Sequence, residues 1–236
     1  MIQSQNGPIF KKIPACFLTP VSNKVCGLGR YSAIIVSHSL KRFLLLLVAV
    51  LLAAPAWAQR GARTYSVNLS QLTEQAAVIV RGNVISARVE KHPEFKNLHT
   101  VVVTVRVKEA LKGETGDPFT FRQYIWDIRD RYDAAGYKKG QELLLLMNRE
   151  NKYGFSSPTG LEQGRFRIFR DREGREVVVN GHDNVGLFRN LTSTVSRKGI
   201  RLSARSSELA STHRRGPIAV ADFTQVLRDL TRKGAE

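Results

Sequence analysis

The sequence predicts a mainly β chain that curls into a small barrel, carries an added hairpin and ends in one amphipathic helix. Three segments point that way. Residues 78–89 (VIVRGNVISARV) are rich in β-branched side chains and are broken by Gly82, which in a strand marks a bulge or a sharp bend of the kind a small barrel needs to close. Residues 100–108 (TVVVTVRVK) alternate, with Val101, Val103, Val105 and Val107 on one face and Thr100, Thr104, Arg106 and Lys108 on the other. Residues 142–147 (ELLLLM) begin with one charge and are then continuously apolar, as in a strand buried on both sides, although periodicity alone leaves a helical segment open.

The remaining elements follow in chain order. Residues 60–68 read as a short linker, after which Ser70 is placed to cap a brief helix anchored by Leu69 and Leu72 and running to about Ala77. Leu111-Lys112-Gly113 turns the chain into residues 119–126 (FTFRQYIW), an aromatic strand with Phe119 and Phe121 on one face. Residues 127–140 are polar and read as a loop. Gly154, Gly160 and Gly164 punctuate the approach to a hairpin of residues 166–170 and 176–180, joined by Asp171-Arg172-Glu173-Gly174. Residues 191–216 are rich in Ser, Thr, Arg and Lys and poor in large apolar side chains, which predicts a mobile loop. Residues 217–233 place Phe223, Val226, Leu227 and Leu230 at helical spacing with Asp222 in the first turn, so a helix over 217–236 is expected to dock on the barrel.

The N-terminal part reads as an address. Lys41-Arg42 precedes an unbroken apolar run over residues 43–54 and then Pro55-Ala56-Trp57-Ala58, the order of a removable secretory signal over 41–58. The run is shorter than the roughly 20 residues that span a bilayer. The expected protein is therefore exported, periplasmic or secreted, without a transmembrane segment once mature. Residues 1–40 hold no acidic residue and both cysteines, Cys16 and Cys26. They read as an over-long gene start with translation beginning nearer Val36, and a transit peptide is the alternative. Cleavage after Ala58 leaves a domain over 59–190, the loop over 191–216 and the terminal helix, with no thiol for zinc-thiolate chemistry or cysteine catalysis.

Charge narrows the partners. The chain carries a net charge of +17, and residues 59–236 keep all 20 acidic and 31 of the 37 basic residues. Such a field attracts polyanions, which beyond the cytoplasm means anionic headgroups, acidic wall polymers or stray nucleic acid, while a solvated Arg-rich surface is the plain alternative.

Ala76-Ala77-Val78-Ile79-Val80-Arg81-Gly82, the valine strand, Glu109-Ala110-Leu111-Lys112-Gly113 and Lys139-Gly140-Gln141-Glu142-Leu143-Leu144-Leu145-Leu146 form an ordered series over residues 73–153. Together they resemble netrin-like domains, the plan shared by tissue inhibitors of metalloproteinases, and are similar to a pattern in exported bacterial proteins. The resemblance implies a closed five-stranded OB-like Greek-key barrel. It does not carry over metalloproteinase inhibition, because those inhibitors grip zinc through an N-terminal cysteine and the expected first residue of the mature chain here is Gln59.

Catalytic chemistry finds little footing. Asp127, Asp130 and Asp133 recur every third residue, but the EF-hand pattern needs alternate positions and a central glycine, and the interleaved Arg129 and Arg131 repel a cation. No metal and no cofactor is expected. His182 beside Asp183 in Asn180-Gly181-His182-Asp183-Asn184 suggests a hydrolytic proton relay, against which a polar turn is the preferred explanation. No GxSxG elbow or phosphate-cradling GK[ST] loop occurs. Arg122, Tyr124 and Trp126, with Arg129 and Arg131 just beyond, are the candidate binding residues. The expected function is a non-catalytic interaction module for a protein or an anionic envelope polymer. A hydrolase using His182 and Asp183 is one alternative, and a single-stranded nucleic-acid binder is another.

Overall fold

The computed structural model describes residues 40–47 and 65–232. Residues 40–47 form a helix (α1) with every side chain exposed, in a unit distinct from the one that begins at Gln59. The proposed gene start, the cleavage site and the first residues of the linker lie outside the described residues. No helix among the described residues is long and apolar enough to cross a membrane.

The second unit runs α2 (Leu69–Gln75), β1 (Val78–Lys91), β2 (His99–Lys112), β3 (Phe119–Tyr124), α3 (Asp130–Asp133), β4 (Glu142–Met147), β5 (Arg165–Arg170), β6 (Glu176–Asn180), α4 (Leu191–Arg197), α5 (Ala204–Thr212), β7 (Ile218–Ala219) and α6 (Val220–Thr231). The strands make one seven-stranded antiparallel sheet in the order β3-β2-β1-β4-β5-β6-β7.

The sheet is open, which corrects the closed barrel. Closure needs the two edge strands to meet. Here the second edge of β4 is taken by β5, and the hairpin expected as an addition to a barrel extends the sheet instead, leaving β3 and β7 at opposite edges. Gly82 does mark an irregularity in the strand. The β1–β2 register shifts between Arg81 and Gly82, and a Cβ on Gly82 would lie 2.2 Å from the Arg106 carbonyl oxygen and 2.7 Å from Val105 Cγ1.

β4 is the spine. All its residues from Leu143 to Met147 are fully buried, and the pleat sends them alternately to two cores. Leu144 and Leu146 join Phe166, Val178, Phe223 and Leu227 beneath α2 and α4–α6, whereas Leu143, Leu145 and Met147 join Val101, Val103, Phe121 and Tyr137 on the opposite face. A strand covered on both sides has no polar alternation to show, hence the unbroken apolar run.

α2 is capped two residues earlier than expected. Asn68, not Ser70, is the cap: its Oδ1 accepts from the Gln71 N–H at 3.0 Å while Gln71 Oε1 accepts from the Asn68 N–H at 2.9 Å, a reciprocal box. Ser70 is buried inside the helix, which ends at Gln75. Lys112 then reaches its last turn, Nζ donating to the carbonyls of Thr73 at 2.7 Å and Ala76 at 2.6 Å.

Residues 191–216 are not a bare loop but hold α4 and α5. These helices bury little: Leu191, Val195 and Ala210 are their buried apolar anchors. Polar bonds add to the hold on α5. Asp229 of α6 accepts from the Ser203 N–H at 2.9 Å and from Ser206 Oγ at 2.6 Å, pinning the start of α5. α6 itself matches expectation, with Phe223, Val226 and Leu227 fully buried and Leu230 packed at the margin. The polar segment over 127–140 likewise contains α3 and a 3₁₀ turn.

The outer edge of β3 is clasped by the β4–β5 connection, where the Ser156 N–H donates to the Arg122 carbonyl at 2.9 Å. This clasp brings Phe155 beside the end of β3.

An aromatic shelf as the candidate functional site

Three separate segments meet at one end of the sheet: the end of β3, the β1–β2 connection and the β4–β5 loop. Each supplies aromatic rings. Trp126 meets Tyr124 edge-on with centroids 4.8 Å apart, and Tyr124 meets Phe155 at 6.4 Å. Phe155 stacks on His92 at 4.9 Å, His92 on Phe95 at 4.8 Å, and Phe95 meets Tyr153 edge-on at 5.6 Å. The result is a continuous run of six rings.

Burial within the run is uneven in a telling way. His92 is buried, and its Nδ1 faces the Glu94 and Phe95 N–H groups at 3.2 and 3.3 Å, so the imidazole accepts there and Nε2 donates to the Tyr153 carbonyl at 2.9 Å. That histidine is a pin joining the two loops. By contrast Trp126 is 50% exposed, Phe95 and Tyr153 42%, and Tyr124 39%. Ile128 and Tyr132 stand still more exposed on the segment after Trp126. Folding removes large rings from water where it can, so a cluster left open marks a surface available to a ligand.

The arginines of the expected site are tied down. Arg122 donates to Thr100 Oγ1 at 2.6 Å and lies 3.6 Å from Glu90. Arg129 grips Asp127 through both Nε and Nη2. Arg131 meets the His99 ring at 2.9 Å rather than a carboxylate. Tyr124 and Trp126 therefore stand open at the end of β3, while Arg122 and Arg129 are engaged within the framework. Phe95, Tyr153, Phe155 and His92 were not among the expected residues: His92 and Phe95 sit in the β1–β2 connection and Tyr153 and Phe155 in the β4–β5 loop, and only a hydrophobic ring in a Gly/Asn/Lys-rich loop hints at them. Lys152 lies 4.9 Å over the Tyr153 ring and adds a cation at the margin.

His182 and Asp183 sit at the far side of the sheet, after β6. Asp183 is bound by Arg215, with Nη2 at 2.9 Å, and no hydrogen bond joins it to the His182 ring among the described residues. The segment is organised by its asparagines. The Asn180 and Asn184 side chains each accept from the other's backbone N–H, at 2.9 and 3.0 Å, and Asn184 Nδ2 donates to the carbonyls of Val178 and Gly216. Asp183 and Asn184 adopt φ of 54° and 55°, the left-handed region that Asn and Asp tolerate. Of the three spaced aspartates, Asp127 is held by Arg129 and Asp133 accepts from the Gly136 N–H; the described residues contain no cluster of three or more metal-type ligands.

Set against family models, curated proteins and solved structures, the chain finds no match in any of the three.

Proposed function

We propose that this chain is exported by its leader and acts beyond the inner membrane as a non-catalytic binding module that seats an acidic envelope polysaccharide on the aromatic shelf. The leader part of the proposal rests on the order of a basic pair, an apolar run and a small-residue end over 41–58. The observation that carries the binding part is the exposure of Phe95, Tyr124, Trp126 and Tyr153 in one ring-to-ring run. Flat ring faces suit the C–H faces of sugar rings, and Arg131 and Lys152 supply cations for acidic substituents. Because Arg122 and Arg129 are engaged by Glu90 and Asp127, stacking outweighs charge at this site.

Co-sedimentation of the purified protein with isolated wall polysaccharide tests the proposal. Trp126→Ala and Tyr124→Ala each reduce the bound fraction at both low and high salt, with the circular dichroism spectrum preserved. Bound fractions equal to wild type in both variants exclude it. With the leader removed after Ala58, Trp126 is the single tryptophan left, so quenching by single-stranded oligonucleotides but not by polysaccharide favours the nucleic-acid alternative instead.

A further inference from the structure

A second concave feature lies away from the shelf, on the sheet face opposite the helices. The pleat of β5 sends Phe166 and Ile168 into the helix-covered core and turns Arg165 and Arg167 to the other side. There they meet the turn that leads into β4, where Lys138 and Lys139 precede Gly140 at φ 82°. Together with Asp133 and Glu162 these four cations line a cavity of about 590 Å³.

The cations differ in kind. Arg165 is fixed: its guanidinium lies 4.6 Å from the Tyr137 ring centre, donates to the Ala135 carbonyl at 2.6 Å and pairs with Glu162 at 2.7 Å. Tyr137 donates to Gln123 Oε1, and burial pushes its pKa up to about 12, so it stays neutral near pH 7 and Glu162 is the carboxylate that offsets Arg165. Lys138, Lys139 and Arg167 make no ion pair among the described residues, and all three are exposed toward the cavity mouth. Four cations thus face two carboxylates around the concavity, and Lys138, Lys139 and Arg167 are the three without an ion pair among the described residues. The lining has no exposed aromatic face for a base to stack upon, and too little apolar surface for a hydrophobic ligand. What it offers is charge and N–H donors.

We propose that this cavity binds a phosphate-type oxyanion carrying two or more charges, held by Lys138, Lys139 and Arg167 with Arg165 as the fixed floor. A guanidinium presents a planar fork to such oxygens, and the lysines add mobile point charges. The site is independent of the aromatic shelf.

Isothermal titration of the full chain with inorganic pyrophosphate tests it. Saturable one-site binding is expected, weakening as salt rises because exposed charges are screened. Arg167→Gln and Lys139→Gln each weaken it by about tenfold, the scale of losing one charge-assisted bond, and Trp126→Ala leaves it unchanged. Absence of saturable binding, or equal affinity in wild type and both charge variants, overturns the site. Vesicles of phosphatidylcholine with and without phosphatidic acid separate two sources of the same chemistry. Co-sedimentation that requires both phosphatidic acid and Arg167 assigns a lipid-borne phosphate, and pyrophosphate binding without co-sedimentation assigns a soluble one.

Discussion

The ammonium of Lys112, at the end of β2, lies 2.6 Å from the carbonyl oxygen of Ala76, 36 residues earlier in the chain. The same nitrogen bonds the Thr73 carbonyl, so a strand residue closes the end of α2, where helical carbonyls have no partners of their own. The adjoining Gly113 is forced as well, since a Cβ there would stand 2.5 Å from the Ala77 carbonyl oxygen and its φ is +74°. Replacing Lys112 by Met removes the donor and leaves these carbonyls half-buried. Urea unfolding is expected to show a loss of about 1–3 kcal/mol, with Lys112→Arg losing less.

Gly82 is expected to be the least replaceable glycine of the sheet. The methyl of Gly82→Ala meets backbone on the neighbouring strand, not a flexible side-chain end, so β1 and β2 must separate locally. A cost of about 1–3 kcal/mol is expected from overpacking. Gly174→Ala is the control: nothing lies within 4 Å of a Cβ there, and only its φ of 77° resists. A thermal melt in which Gly82→Ala unfolds no earlier than Gly174→Ala contradicts this.

Acid should loosen the α5–α6 contact. Burial pushes the Asp229 carboxyl upward, but the bonds from Ser206, Ser203 and Gln225 outweigh it and leave the pKa below the ordinary 3.8. A carboxylate whose folded pKa is depressed adds stability above its unfolded pKa and loses it as pH falls through the folded value. Stability therefore declines below about pH 4, and in Asp229→Asn that part of the decline is absent. Chemical denaturation at a series of pH values reads the slope directly.

The turn after β6 separates a structural role from a chemical one. Asn184 is 1% exposed and joins β6 to the entry of β7, so Asn184→Ala is expected to cost about 2–3 kcal/mol through unsatisfied buried carbonyls. His182→Ala is expected to stay within about 0.5 kcal/mol, as exposed substitutions do. A hydrolytic assay in which His182→Ala abolishes turnover would revive the proton-relay alternative.

Much of the sheet was legible. Valine alternation marked β2, the leucine run marked a strand covered on both faces, and Asp171-Arg172-Glu173-Gly174 marked the β5–β6 hairpin, because each depends on neighbours within a few residues. Closure was not legible, since it depends on which strand takes the second edge of β4, and residues 166–170 look alike whether they extend a sheet or decorate a barrel. α4 and α5 escaped for a different reason. α5 is held by a carboxylate on α6 and by its Ser203 cap, and α4 buries only Leu191 and Val195, so both lack the broad apolar stripe by which helices announce themselves. Tyr124 and Trp126 could be singled out because they share a strand end. Their companions Phe95, Tyr153 and Phe155 come from two other loops, and only the folded chain lays them side by side.

Open sheets carry a hazard that closed ones avoid, because a bare outer strand can recruit the same strand from another molecule. Here one border is held by the Ser156–Arg122 bond and the other is a strand of two residues, too brief to act as a template. Copies of this chain at high local concentration can thus crowd against one another without knitting into fibres.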